Sequence, residues 1–297
     1  RYAAENGVIG VYTEMQYHAL DAPKAWLYAK LLWDPYRDVD QLLEEWYVRA
    51  VGPEAAPYLA AFYDLWESFW TERIQGSPWF EGGKGSTYLP FNNPSYLSLV
   101  TEADIRESER LLDAVVAKAQ TEAQRNRAEV LRKAFEYSAA SALSYPPTAP
   151  QPPSNSLAAI KILTDMINSY EQRMAFAQKR YELIDEFRYH PDANLRMRAS
   201  DAMWVYWWRD WTGSSSAQLT LLTNYMRSYE VDGGPVSNFV HSMTQNPQNH
   251  IRRLGYFILM QSGAYVDGPS LTVNGSFENG NDTPSNWVYE VSPGGTV

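Results

Sequence analysis

The stretch Asp38-Val39-Asp40-Gln41-Leu42-Leu43-Glu44-Glu45-Trp46-Tyr47-Val48-Arg49-Ala50-Val51-Gly52-Pro53 decides the fold. Val39, Leu42, Leu43, Trp46, Tyr47, Ala50 and Val51 recur at three- and four-residue spacing, which puts them on one side of an α-helix. Asp38 is placed to cap that helix, with Gln41 three residues on. Gly52 ends it and Pro53 opens the next. In that next helix Tyr58, Leu59, Phe62, Tyr63, Trp66, Phe69 and Trp70 form a very aromatic face, read here as core.

Working towards the N-terminus, Pro23 suits a first helical turn, and Ala25, Trp26, Ala29, Leu32 and Trp33 follow at helical spacing. This helix stops at Asp34-Pro35, because a residue before proline disfavours the helical region. Before it, Gly7-Val8-Ile9-Gly10-Val11-Tyr12 is a short continuous apolar run. Continuity rather than alternation predicts a strand buried on both faces. Such a strand needs paired neighbours for its backbone groups. No second parallel strand is evident in the next 200 residues. The chain opens with Arg1 rather than Met and is expected to be the C-terminal part of a larger protein.

Working towards the C-terminus, residues 75–98 read as a loop rich in Gly and Pro, mixed with Trp79, Phe80, Tyr88, Phe91 and Tyr96. Long loops are often functional. Thr101 and Thr121 are placed to cap two further helices. Residues 146–153 form a stiff Pro-rich connector. A long helix is predicted over about 156–188, broken at His190-Pro191. Residues 195–211 read as a buried helix, since Met203 to Trp208 is apolar all round. Two or three shorter helices fill 216–262. After Gly268-Pro269, strand alternation with Gly and Asn turns begins. The remainder is too short to fold alone as a sandwich.

Of the 297 residues, 45% are hydrophobic and 14% aromatic, enough for a sizeable core. The formal net charge of −10 argues against nucleic acid or an anionic membrane as main partner. No apolar run is long enough to span a membrane. The sequence has no cysteine, which excludes thiol catalysis and cysteine-ligated zinc. Its four histidines are well separated and show no metal-ligand spacing, so no cofactor or metal is expected. No phosphate-cradling glycine loop or nucleophile elbow is present.

Glu14 lies where the predicted strand ends, the position at which α/β barrels place working groups. There it binds sugar hydroxyls or acts as an acid or base; alternatively it meets backbone donors at a helix start. Tyr12, Tyr17 and His18 would share that rim. Glu44 and Glu45 read as a solvated helix face, so no catalytic pair can be named within the chain. In the 75–98 loop, Trp79, Tyr88 and Asn92 could form an aromatic wall with a polar group for sugar. The alternative is that these rings plug the loop onto the helices beneath.

The runs Gly10-Val11-Tyr12-Thr13-Glu14, Tyr28-Ala29-Lys30-Leu31-Leu32-Trp33-Asp34-Pro35, Asp38-Val39-Asp40 and Gly52-Pro53-Glu54-Ala55-Ala56 resemble a bacterial glycoside-hydrolase-like family. That family was long described as a domain of unknown function, and some of its members are endo-β-N-acetylglucosaminidases acting on N-glycans. The resemblance is good over about residues 5–70. It implies a (β/α)8 barrel followed by helices. Tyr12-Thr13-Glu14 is similar to the tryptophan-x-glutamate of the β-hexosaminidases, with Tyr replacing Trp, which implies a substrate-binding role for Glu14. The family's catalytic acids would belong to earlier strands. Separately, Val273-Asn274-Gly275-Ser276-Phe277-Glu278 and Trp287 resemble the opening of a β-sandwich carbohydrate-binding module.

The expected fold is therefore mainly α: a helical domain after the last strand of a truncated (β/α)8 barrel, with a short β tail. The expected organisation is a barrel end at 1–21, a helical domain at 22–268 and the start of a β-sandwich module at 269–297. The expected function is the C-terminal part of a secreted or cell-surface glycoside hydrolase, acting on an amino-sugar-containing glycan or polysaccharide. The alternative is a non-catalytic glycan-binding or spacer domain. The barrel and glycosidase assignments both stand on Gly7–Tyr12 being an orphan strand of such a barrel; the segment paired within this chain, or lying as a coil on the outside, would count against both. A glycan-binding role predicts a concave aromatic groove; a protein-binding role predicts an exposed apolar patch.

Overall fold

The computed structural model describes residues 1–13, 18–86, 89–90, 93–145, 151–193, 195–196 and 216–264. Among these the protein is mainly helical and contains no strand. The helices are α1 (Tyr2–Glu5), α2 (Ala22–Trp33), α3 (Val39–Val51), α4 (Ala56–Ser68), α5 (Pro78–Gly83), α6 (Glu102–Lys118), α7 (Glu122–Ser144), α8 (Ser156–Arg188), α9 (Ser216–Tyr229), α10 (Pro235–Met243) and α11 (Asn249–Ser262). Two 3-10 turns, Ala19–Asp21 and Pro94–Leu99, connect them. The chain divides into two compact units, Arg1–Leu221 and Leu222–Val297.

Local chemistry sets the helix ends. Asp38 Oδ1 accepts the Gln41 N–H at 3.0 Å and starts α3. Thr101 with Asp104, and Thr121 with Gln124, form reciprocal capping boxes at the starts of α6 and α7. Asn155 Oδ1 accepts the Ala158 N–H at 2.9 Å and starts the long α8. Gly52 closes α3 at φ +91°, and a Cβ there would lie 2.8 Å from the Gln124 amide. Any larger residue would strain the backbone and displace the α7 cap together.

Packing supplies more than capping. A cap is worth about 1 kcal/mol. Each fully buried Leu or Phe is worth roughly 1.5–3 kcal/mol. In the first unit, α3, α4, α6 and α7 share a core containing Tyr47, Val51, Leu59, Phe62, Leu112, Val115, Leu131 and Phe135. Helix α8 packs along α7 through Ala134, Ala140, Leu183 and Phe187. In the second unit, Val236, Val240, Met243, Ile251 and Leu259 are buried as α10 and α11 pack together.

The opening segment departs from expectation. Residues 8–13 are irregular, with Ile9 fully exposed and Tyr12 88% exposed. The sequence reading of Gly7–Tyr12 as a buried strand is corrected. An apolar run encodes a strand only when a sheet accepts its backbone groups, and none of the described residues offers one. The 75–98 loop is also more ordered than expected, holding α5 and the Pro94–Leu99 turn. The predicted buried helix at 195–211 and the β tail at 269–297 lie almost wholly or wholly outside the described residues.

Candidate functional site: an aromatic groove

The feature that stands out is built where α4 stops being a regular helix. Over Phe69–Arg73 the backbone widens into a π-helical turn, and the Ile74 N–H reaches the Phe69 carbonyl at 3.0 Å. Such turns recur at functional sites because they re-aim side chains. Here the turn carries Phe69 and Trp70, both of which line a groove of about 810 Å³.

The groove lies within the first unit. Leu20, Pro23 and Leu27 form one side, and Val39, Leu43 and Tyr47 of α3 continue it. Phe62, Tyr63, Trp66, Phe69 and Trp70 form the aromatic wall. Tyr96 and Leu97 of the 3-10 turn, with Phe135, Tyr137, Ser138 and Ser141 of α7, complete the lining. The stripe read from sequence as core is both core and wall. Phe62 and Phe69 are 2% exposed, whereas Trp70 is 43% exposed.

The rings brace one another. Trp70 lies 5.3 Å from Tyr96 and 5.4 Å from Phe69, and Tyr47 stacks on Tyr63 at 5.9 Å. Their polar ends are fixed too. The Tyr63 hydroxyl donates to the Leu20 carbonyl at 3.2 Å, and the Trp66 indole N–H donates to Ser108 Oγ at 3.1 Å. These bonds hold ring orientation, so the wall is set before any ligand arrives.

Electrostatics keeps the wall neutral. Burial pushes the Tyr96 phenol up to about 12, with Tyr137 adding to the shift and Arg180 opposing it. Burial likewise raises Tyr47 to about 12, helped by Asp64 and Glu67. Both stay protonated at neutral pH. Arg180 is only 1% exposed; its Nε donates to Ser141 Oγ at 3.1 Å and its guanidinium sits 5.7 Å from the Tyr137 ring. Among the lining residues the carboxylates are Asp21 and Glu67. Asp21 is already engaged by Lys24 at 2.7 Å. This is an apolar wall with a few hydroxyls and rim charges, suited to holding a ring-shaped polar ligand.

Of the sequence-predicted residues, Trp79 is 7% exposed, and its indole N–H donates to the Asn93 carbonyl at 2.7 Å. Its ring rests 5.2 Å from Tyr96 and 6.1 Å from Trp70. Trp79 therefore backs the groove and does not line it. His18 caps the Ala19–Asp21 turn, its Nδ1 accepting the Leu20 N–H at 3.3 Å. Tyr12 stands in solvent. Glu14, Tyr17, Tyr88 and Asn92 lie outside the described residues. Sequence reasoning missed Trp70, Tyr96 and Tyr137 as lining residues. The dense aromatic spacing of α4 was the available signal. No group of three or more metal-ligating side chains occurs among the described residues. Nor is any helix among them long and apolar enough to cross a membrane.

No curated protein and no solved structure matches the chain. Residues 1–64, which carry α2, α3, most of α4 and the groove side formed by Leu20, Pro23, Tyr47 and Tyr63, match the family model described as Domain of unknown function (DUF4838).

Proposed function

We propose that this chain is a glycan-binding helical domain of a secreted glycoside hydrolase, acting on an amino-sugar-containing glycan, with the bond-cleaving carboxylates outside this chain. The observation that carries the binding role is the braced aromatic groove with Trp70 exposed in its wall. Indole and phenol rings cover the apolar face of a pyranose, and nearby hydroxyls meet its polar edge. The hydrolase part rests on the sequence resemblance, since the Gly7–Tyr12 segment gives it no support as a strand. If the parent is such an enzyme, its transition state would be oxocarbenium-like.

The test is affinity electrophoresis in a gel holding a soluble β-linked N-acetylglucosamine polymer. The wild-type chain should be retarded and Trp70→Ala should run free. Equal migration of the two proteins would remove the groove from glycan binding. A second reading, a helical interaction module, is favoured by the exposure of Ile9, Tyr12 and Trp33. Self-association or partner capture lost in Trp33→Glu, with no glycan retardation, would favour it.

A further inference from the structure

A second cleft, of about 430 Å³, opens elsewhere in the first unit, between α2, α3 and α7. Two indoles, Trp26 and Trp46, line it with Arg49, Asn126, Arg127 and Asp192. Its volume is in the range of small-ligand sites and fits one or two sugar rings. We propose that this cleft binds a carboxylate-bearing pyranose, that is, an acidic sugar, independently of the aromatic groove.

The charge distribution is the first argument. The whole chain carries −10, yet this locality is basic. Arg49 and Arg127 line the cleft, and Lys30 sits 4.4 Å over the Trp26 ring. Arg49 is held at 2.8 Å by Glu45, a carboxylate that also takes Arg37 at 3.2 Å. Among the lining residues, two guanidiniums therefore stand against one carboxylate, Asp192. A basic cleft on an acidic protein selects an anion and rejects its own surface. Arg127 is also held in place. Its Nε donates to the Ala50 carbonyl at 2.6 Å and its Nη2 to that of Arg49 at 3.2 Å, at the end of α3. A guanidinium anchored in this way loses little further freedom on binding.

The second argument is an orphaned donor. The indole nitrogen of Trp26, a residue of the cleft lining, is buried and has no hydrogen-bond partner. Leaving such a donor unmet is costly, so a small turn of the ring that brought the N–H to a ligand oxygen in the cleft would be favoured. The third is shape. Two indoles offer the apolar surface on which a sugar ring stacks, while Asn126 can meet a hydroxyl.

The experiment titrates the full chain with sodium glucuronate, glucose and sodium acetate, followed by the indole 1H–15N resonances. The Trp26 signal is identified by its loss in Trp26→Phe. Glucuronate should shift that signal and bind at least about tenfold tighter than glucose or acetate. Arg49→Gln should weaken glucuronate about fivefold to tenfold, the loss of one charge-assisted contact. Trp70→Ala should leave it unchanged, which separates this cleft from the groove. Equal binding of acetate would reduce the cleft to a simple anion site. Equal binding of glucose, an unmoved Trp26 signal, or indifference to Arg49→Gln would each overturn the proposal.

Discussion

Arg73 and Asp104 form a two-pronged ion pair, Nη1 to Oδ2 and Nη2 to Oδ1 (the latter 3.1 Å), which ties the π-helical turn to the start of α6. The same carboxylate accepts the Thr101 N–H at 2.8 Å and its hydroxyl at 2.7 Å, so one side chain caps a helix and anchors the groove wall. Burial works against ionising Asp104, but the hydrogen bonds from Arg73 and Thr101 outweigh it and hold the carboxyl below its ordinary value.

Asp104→Asn should therefore lower unfolding free energy by roughly 1–2 kcal/mol at neutral pH. The sign of the pH dependence follows from the depressed value. The stabilisation is present above the ordinary carboxyl pKa and is lost as pH falls through the lowered one. Urea midpoints of wild type and Asp104→Asn should differ at pH 7 and converge in acid. A gap that stays constant down to about pH 2 would mean that Asp104 acts by shape alone.

Trp70 and Trp79 should respond in opposite ways. Trp79→Ala removes a buried ring and its bond to Asn93, and should cost about 3–5 kcal/mol in stability. Trp70→Ala removes a half-exposed ring and should cost much less while abolishing glycan retardation. Chemical denaturation alongside affinity electrophoresis checks both; equal destabilisation by the two would deny Trp70 its role as wall.

The raised phenols predict alkaline weakening. Below about pH 10 the stabilisation from Tyr96 and Tyr47 is complete, and it is lost as pH rises towards about 12. Tyr96→Phe should shallow that loss. Thermal melts between pH 9 and pH 11 would show it; parallel curves for wild type and variant would contradict the assignment.

In the second unit, Glu230 Oε2 accepts the N–H groups of Val236 at 2.7 Å and Ser237 at 3.3 Å, capping α10 from across the turn. Gly234, at φ +147°, makes room for it, since a Cβ there would come within 2.4 Å of that oxygen. Gly234→Ala should destabilise this unit by more than 1 kcal/mol or so, through backbone strain and displacement of the cap. Hydrogen exchange at Val236 and Ser237 should accelerate, and unchanged protection would refute the arrangement.

Much of the helical architecture could be read from the chain because its signals are local. Asp38, Thr101 and Thr121 announce helix starts with side chains that reach only three residues ahead. The α8 bounds follow from one uninterrupted run of helix formers. The Gly7–Tyr12 reading failed because strand formation is a property of neighbours, and composition says nothing of whether they exist. The groove was half legible. The aromatic spacing of residues 58–70 marked an important face, but which rings are sealed and which open depends on a helix irregularity that no residue type signals. Trp79 was singled out for its ring in a flexible-looking loop; its hydrogen bond to Asn93 turns that ring inward.

The widened turn at Phe69–Arg73 means that the aim of Trp70 is stored as register. Deleting one residue there would restore an ordinary helical repeat and change the direction in which the side chains of this turn leave the axis. The wall could then be dismantled with every aromatic side chain still present, so length, more than identity, guards this surface against drift.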